Sequence, residues 1–298
     1  MSKIAGFVVT AADVRHVGHD LSRPECVLAE ADGTLWVSDD RSAVLRIDPD
    51  GRQTRIGEVG GLPNGLAMDR LGRLYVADIE RGKLFRLSRD GRHELLLDEL
   101  DGARLGALNF VYLDHEARLW ATVSTRVEPR SKAAHSQIPD GSILRLDAAG
   151  WRSVADGFRF TNEIRLDAGG KYLYVAETAS GSVCRLPLLP DGSLGPREPF
   201  GPEPLAPGAR TDGIAFDSQA NLWVTDVARN ALFVIAPDGE ATEVFRDPEG
   251  TVMPAPTSIA FSGPDLRTVL VGSLTATRLV SFVSPVAGEP LAHWRRGG

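Results

Sequence analysis

Six copies of one strand–turn–strand unit constrain the fold of this chain more than any other feature. The clearest copy reads "RFTNEIRLDAGGKYLYVAET" over residues 159–178. It holds a polar residue, an apolar alternation at Ile164 and Leu166, a reversal across Asp167–Lys171, then Leu173, Tyr174 and Val175. Apolar residues so spaced about a glycine-containing turn predict two antiparallel strands. Related units are "RPECVLAEADGTLWVSDD" from Arg23, "LPNGLAMDRLGRLYVADI" from Leu62, "ALNFVYLDHEARLWATVS" from Ala107 and "RTDGIAFDSQANLWVTDV" from Arg210. A weaker copy, "APTSIAFSGPDLRTVLVGS", begins at Ala255. Their leading polar residues are Glu25, Asn64, Asn109, Asn162, Asp212 and Thr257, at intervals of 39, 45, 53, 50 and 45 residues. A repeat of about 40–50 residues is the length of one four-stranded propeller blade. The spacing therefore predicts an all-β, six-bladed β-propeller with four antiparallel strands per blade.

The connecting sequence fits that reading. Third strands are expected at "GKLFRLS" (82–88) and "GSILRLD" (141–147), and a fourth in blade 2 at "HELLLDEL" (93–100). No stretch sustains the 3.6-residue apolar spacing of a helix, and 31 Gly and 19 Pro supply the turns. A length of 298 residues would allow about two domains. The repeats run from Pro24 to about Phe282 without a compositional break, which predicts one closed domain over residues 1–298. Blade 6 is expected to have strands near 257–262, 267–273 and 277–283, leaving a fourth to be supplied. The spare segment "FVVTAADVRHV" (7–17) is the expected outer strand, closing the ring; "EPLAHW" (289–294) is the alternative.

A formal net charge of −7 and the lack of a basic stripe speak against a nucleic-acid partner. The basic cluster in "HWRRGG" (293–298) reads as a solvated tail. No apolar run reaches 18 residues, and "MSKIAGFVVTAADVRH" makes a poor signal peptide, so no membrane partner and a cytoplasmic location are expected. Cys26 and Cys184 provide no disulfide framework and are expected to pack as small hydrophobes.

In a propeller the first strand of each blade lines the central channel, so the six leading residues should ring one mouth. Glu25, Asn109, Asn162 and Asp212 would bring two carboxylates and two amide oxygens together there. Hard oxygen donors suit Ca²⁺, allow Mg²⁺ or Mn²⁺, and suit Zn²⁺ least. Without a cation the carboxylates would repel and raise one another's pKa. The competing reading is that Asn and Asp before Gly, as in "PNG" (63–65) and "TDG" (211–213), are ordinary turn residues. Glu25 and Asn162 are followed by Cys26 and Glu163, which turns explain less well.

Units headed by Glu25, Asn162 and Asp212 resemble the regucalcin/gluconolactonase (senescence marker protein) family of six-bladed propellers, with diisopropyl fluorophosphatase a more distant relative. The resemblance covers nearly the whole chain. It implies that Glu25, Asn162 and Asp212 hold one divalent cation. It further implies that Asn109 ligates the cation or lies beside it, contacting substrate, and that Asp212 is also the general base. Two positions depart from the family pattern: Asn162-Glu163 replaces Asn-Gly, and Asn109-Phe110 replaces Asn-Asp. Phe110 is expected to make the pocket less polar than a sugar-lactone site.

Other features carry less chemistry. "HVGH" (16–19) lacks further ligands and reads as a surface pair; "GGLPNG" (60–65) lacks the lysine and following helix of a phosphate loop. Asp39, Asp78, Glu177 and Asp226 recur at second-strand ends and are expected to bond neighbouring loops. The connection 124–141 is long and should lie at the ligand mouth as a lid or as a plain solvated loop, with Arg126 at its root facing an anionic or carbonyl oxygen. Asn64 is expected across the ring from the other ligands, contacting substrate. The expected activity is divalent-metal-dependent opening of a small-molecule lactone, with Asp212 accepting a proton from the attacking water. Phosphotriester or fluorophosphate hydrolysis on the same cation and a non-enzymatic calcium-binding propeller are the alternatives.

Overall fold

The computed structural model describes Ile4 and residues 6–294. Six four-stranded antiparallel sheets stand in a ring. Their innermost strands are Val27–Ala29, Pro63–Met68, Leu108–Leu113, Thr161–Leu166, Thr211–Phe216 and Pro256–Ser262. Each packs against the next, and the sixth returns to the first. These strands are buried on both faces, which explains why their sequences read as short apolar runs rather than strict alternations.

The ring closes where expected, with a shorter strand. Arg15–Val17 pairs antiparallel with Leu279–Val283 as the fourth strand of blade 6. Upstream, Val9 donates its N–H to the Val244 carbonyl at 2.7 Å, and Phe7 meets Trp223 edge-on at 6.1 Å. The alternative segment has another task. Residues 286–294 cover the far end of the channel, with Val286 and Ala292 buried and the His293 ring 2.8 Å from the Ala29 carbonyl. Residues 295–298 of the basic tail lie outside the described residues. The fourth strand of blade 2 ends at Leu97; Glu99–Leu100 instead pairs with Ala103–Arg104 in a separate small hairpin. Among the described residues no helix is long and apolar enough to cross a membrane.

Packing between blades repeats with a two-blade alternation. Trp36, Trp120 and Trp223, on the second strands of blades 1, 3 and 5, are fully buried. Their indole N–H groups donate to Glu30, Asp114 and Asp217, each six residues earlier across the hairpin, at 2.8, 2.9 and 3.1 Å. A buried indole needs such a partner, because an unpaired N–H loses its water without compensation. Two residues beyond each Trp stands a hydroxyl. Ser38, Thr122 and Thr225 accept the backbone N–H groups of Cys26, Phe110 and Gly213 at 2.9, 3.1 and 2.7 Å.

The Cys26 N–H precedes its strand, and those of Phe110 and Gly213 are free because the innermost strands of blades 2 to 6 bulge at their starts. The pairing slips between Pro63 and Leu66, Leu108 and Phe110, Thr161 and Ile164, Thr211 and Ile214, and Pro256 and Ile259. Each slip contains the leading polar residue of its unit. A bulge rotates the extra residue out of the pleat, so the side chain that would flank a neighbouring blade points along the channel instead.

The glycine after Asn64 serves packing and not a turn. A Cβ on Gly65 would stand 2.6 Å from the Cα of Phe110 and 2.9 Å from the Asn109 carbonyl oxygen, atoms of the next innermost strand. Gly65→Ala should therefore destabilise the fold by about 1–3 kcal/mol through overpacking. Thermal unfolding checks this; a melting temperature equal to wild type would mean that the blades can spread without loss.

Candidate active site

Five of the six leading residues stand around one cavity of about 460 Å³ at a mouth of the channel: Asn64, Asn109, Asn162 and Asp212 on bulges, and Glu25 just before the first strand of blade 1. All five are buried. The sixth, Thr257, is not in the lining; its hydroxyl donates to the Glu25 carbonyl at 2.6 Å and fastens blade 6 to blade 1.

Asn64 does not stand across the ring. Its amide nitrogen donates to Glu25 Oε1 at 2.8 Å and to Asn109 Oδ1 at 3.1 Å, and its oxygen accepts from Arg23 Nη2 at 2.7 Å. With both ends occupied, Asn64 sets the spacing between Glu25 and Asn109. Phe110 also differs from expectation. It turns down the channel into the core, where Arg165 lies 4.7 Å over its ring, and does not line the mouth. The apolar wall comes from other residues, notably Ile79, Phe160, Val227 and Leu274. Arg126 is exposed and outside the lining, with its backbone N–H bound to Asp140 at 2.7 Å. The long connection does cover the mouth. Its single helical turn, Ser131–Ala134, brings Arg130, Ala134 and His135 to the cavity.

Beneath the ring the channel is stopped by an ion pair. Glu163 meets Arg165 Nη2 at 3.0 Å and accepts the Ile214 N–H at 3.2 Å, with both side chains buried. The acidic second-strand ends hold loops, as their repetition suggests. Asp78 accepts the N–H groups of Leu62 and Glu80, Asp226 those of Arg210 and Ala228, Glu177 that of Arg159, and Asp39 those of Ser22 and Arg41. Cys26 and Cys184 are free and buried.

Electrostatically the mouth is strained. Burial pushes Glu25 up to about 7, partly opposed by the Arg23 guanidinium. Burial, then the carboxylates of Glu25 and Glu163, push Asp212 well above the usual carboxylate range. Asn162 gives its amide nitrogen to Thr178 at 3.0 Å, and Asn162 Oδ1 and Asp212 Oδ1 are buried without a hydrogen-bond partner. Orphaned acceptors beside two crowded carboxylates are what a divalent cation would satisfy. Among the described residues no group of three or more His, Cys, Asp or Glu side chains is placed to hold a metal. A cation here must draw on the amide oxygens, and an all-oxygen set of this kind fits a hard cation.

Fold and site together define a six-bladed propeller whose channel mouth carries buried oxygen donors under a short lid. The chain belongs to the family described as the SMP-30/Gluconolactonase/LRE-like region, whose model matches residues 23–275. It is 28% identical to 6-deoxy-6-sulfogluconolactonase of Pseudomonas putida over 220 residues, covering 73% of this chain and 69% of that one. It is also 28% identical to diisopropyl-fluorophosphatase of Loligo vulgaris over 209 residues, covering 66% and 67%. The fold superposes on a solved putative gluconolactonase with a TM-score of 0.77 and 20% identity, covering 97% of this chain and 98% of the other.

Sequence reasoning passed over Arg23, Phe160 and Arg210, which line the cavity two positions before the leading residues of blades 1, 4 and 5. It also passed over Ile79, Thr178, Val227 and Leu274, each one position after a second strand. Both sets occupy fixed positions in the repeat, so the alignment that found the ring contained them.

Proposed function

We propose that this protein is a divalent-cation-dependent lactonase, with Glu25, Asn162 and Asp212 as cation ligands and Asn109 as a fourth ligand or substrate contact. The observation that carries this reading is the pair of buried, unpartnered oxygens on Asn162 and Asp212 beside Glu25, in a chain of the gluconolactonase family. A cation held by these residues would supply Lewis-acid polarisation of the lactone carbonyl and stabilisation of the developing oxyanion. Asp212 accepts a proton from the water that attacks the carbonyl carbon and returns it to the ring oxygen as the acyl–oxygen bond breaks. Asn64 keeps Glu25 and Asn109 in place, and the lid turn excludes bulk water from the reacting atoms. The oxygen donor set favours Ca²⁺, with Mg²⁺ and Mn²⁺ next.

A panel of γ- and δ-lactones assayed by acid release tests this. Turnover should vanish with chelator and return with added cation. Hydrolysis unaffected by exhaustive chelation would remove the cation from the reaction, and no turnover of any lactone with a filled site would leave a binding propeller. The similarity to a fluorophosphatase favours a second reading, so diisopropyl fluorophosphate belongs in the same panel. Faster release of fluoride than of any carboxylic acid would make it the better one.

A further inference from the structure

The mouth holds more positive charge than its carboxylates balance. Arg23, Arg130 and Arg210 line the cavity together with Glu25 and Asp212, so three guanidiniums face two carboxylates before any cation is added. Elsewhere in the fold several guanidiniums beside the core meet carboxylates: Arg89 meets Glu30, Arg118 meets Asp114 and Arg229 meets Glu243, at 2.8, 2.6 and 2.9 Å, while Arg145 is held by the Gly192 carbonyl over the Trp120 ring. At the mouth they do not. Arg23 is held by neutral oxygens, Asn64 Oδ1 at 2.7 Å and the Pro63 carbonyl at 3.3 Å. Among the described residues Arg130 has neither a hydrogen-bonding nor an ion-pair partner for its guanidinium. Burial, then the like charge of Arg23, hold Arg130 below the usual arginine range; the carboxylates of Glu80, Glu128 and Asp78 oppose this from a distance, and none of them makes an ion pair with it. Arg210 has no carboxylate partner among the described residues either; its guanidinium lies against the ring of His135 on the lid.

A half-buried guanidinium without a counter-ion is costly unless a ligand supplies one. Arginine suits that task because its planar fork matches an oxyanion bidentately. We infer that the substrate is a lactone bearing an anionic group, a carboxylate, sulfonate or phosphate, received by Arg130 and Arg210 while the cation site takes the ring carbonyl. This rests on the lactonase reading for the ring and on the arginines alone for the charge. Space permits it, because Arg210 and His135 also line an adjoining cavity of about 550 Å³. Arg130 and His135 both ride on the lid, so an anion held by them would also draw the lid closed over the ring.

The test compares matched lactones on the cation-loaded protein. Glucaro-1,4-lactone is set against glucono-1,4-lactone, and the 6-phosphate and 6-sulfonate of glucono-1,5-lactone against the parent. The anionic member of each pair should show a kcat/KM higher by about 10- to 100-fold, the scale of a hydrogen bond to a charged group. That advantage should shrink as salt rises from 0.02 to about 0.5 M. Arg130→Gln and Arg210→Gln should each lower the anionic-to-neutral ratio by about tenfold. Differences among the three anions identify which oxyanion fits. Faster turnover of the neutral lactones, or variants that slow both members in proportion, would overturn the inference. If no lactone of either charge reacts, the lactonase reading fails, and calorimetry with methyl β-glucuronide against methyl β-glucoside still decides the charge. Preferential binding of the glucuronide, weakened in Arg130→Gln, supports the anion site; equal or absent binding overturns it.

Discussion

Asp212→Asn, assayed with its cation site filled, should hydrolyse lactones about 10²-fold or more slowly than the wild type, the usual scale for loss of a general base. The substitution keeps a side-chain oxygen in place and removes both a negative charge and the only basic group of that side chain. Two roles for Asp212 therefore separate. As a ligand alone, it weakens cation binding when changed to Asn, and raising the cation concentration restores the rate. As a proton acceptor as well, it leaves a deficit that no concentration of cation repairs. The geometry favours the second outcome. Asp212 Oδ1 is buried at the cavity without a partner, and burial raises its carboxyl well above the usual carboxylate range, which makes it a stronger base. The Asn variant should also lose the fall in kcat/KM on the acid side of the wild-type profile, because the group that must be ionised is gone. The measurement is a progress curve at cation concentrations shown by calorimetry to saturate the variant. Recovery to near the wild-type rate would leave Asp212 as a ligand and nothing more.

What the sequence discloses depends on whether a property repeats. Blade number, closure by the N-terminal segment and the gathering of Glu25, Asn109, Asn162 and Asp212 at one mouth all follow from one periodic alignment. Each was legible because every blade solves the same packing problem with the same residue types. The bulges were not legible as such, yet they turn Asn162 and Asp212 into the channel, since strand alternation alone would send alternate residues into the neighbouring blades. Asn64-Gly65 shows how a local signal misleads. The dipeptide has turn chemistry, but Gly65 is required because Phe110 of the next blade stands against it.

Properties set by single residues were harder to read. Phe110 follows Asn109 directly and reads as a pocket wall, but the bulge separates the directions of the two side chains and sends the ring into the core. Arg126 and Arg130 both lie in the 124–141 connection, and nothing in their sequence context says which faces the mouth. A single helical turn decides it by folding Arg130 and His135 inward and leaving Arg126 in solvent. Arg23 and Arg210 fall between these extremes. Each stands two positions before a carboxylate head, so the repeat that exposed Glu25 and Asp212 also exposed their charged neighbours.

Glu25→Gln should weaken divalent-cation binding by at least about 10- to 100-fold, the range already seen for groups outside the ligand shell, while the fold survives. Gln keeps an oxygen where Glu25 Oε1 now accepts from Asn64, so the hydrogen bond that spaces Glu25 from Asn109 persists. What disappears is one of the two negative charges facing the cation. The pH dependence gives a second, independent signature. In the cation-free protein burial raises Glu25 to about 7, so near pH 6 its carboxyl is largely protonated, and Asp212 is raised above the usual carboxylate range by burial and by the charge of Glu25. A cation must displace the proton on Glu25, and wild-type affinity should rise from pH 6 to pH 8 with protons released on binding. In the variant Glu25 has no proton to lose, and Asp212, freed of its charged neighbour, titrates lower. Affinity should then be weaker throughout but flatter with pH. Calorimetric titration of Ca²⁺ in buffers of different ionisation enthalpy reads both effects, because the released protons appear as a buffer-dependent heat. Equal affinity in the two proteins would take Glu25 out of the ligand set. A weaker variant that released as many protons as the wild type would place the raised carboxyl elsewhere in the mouth.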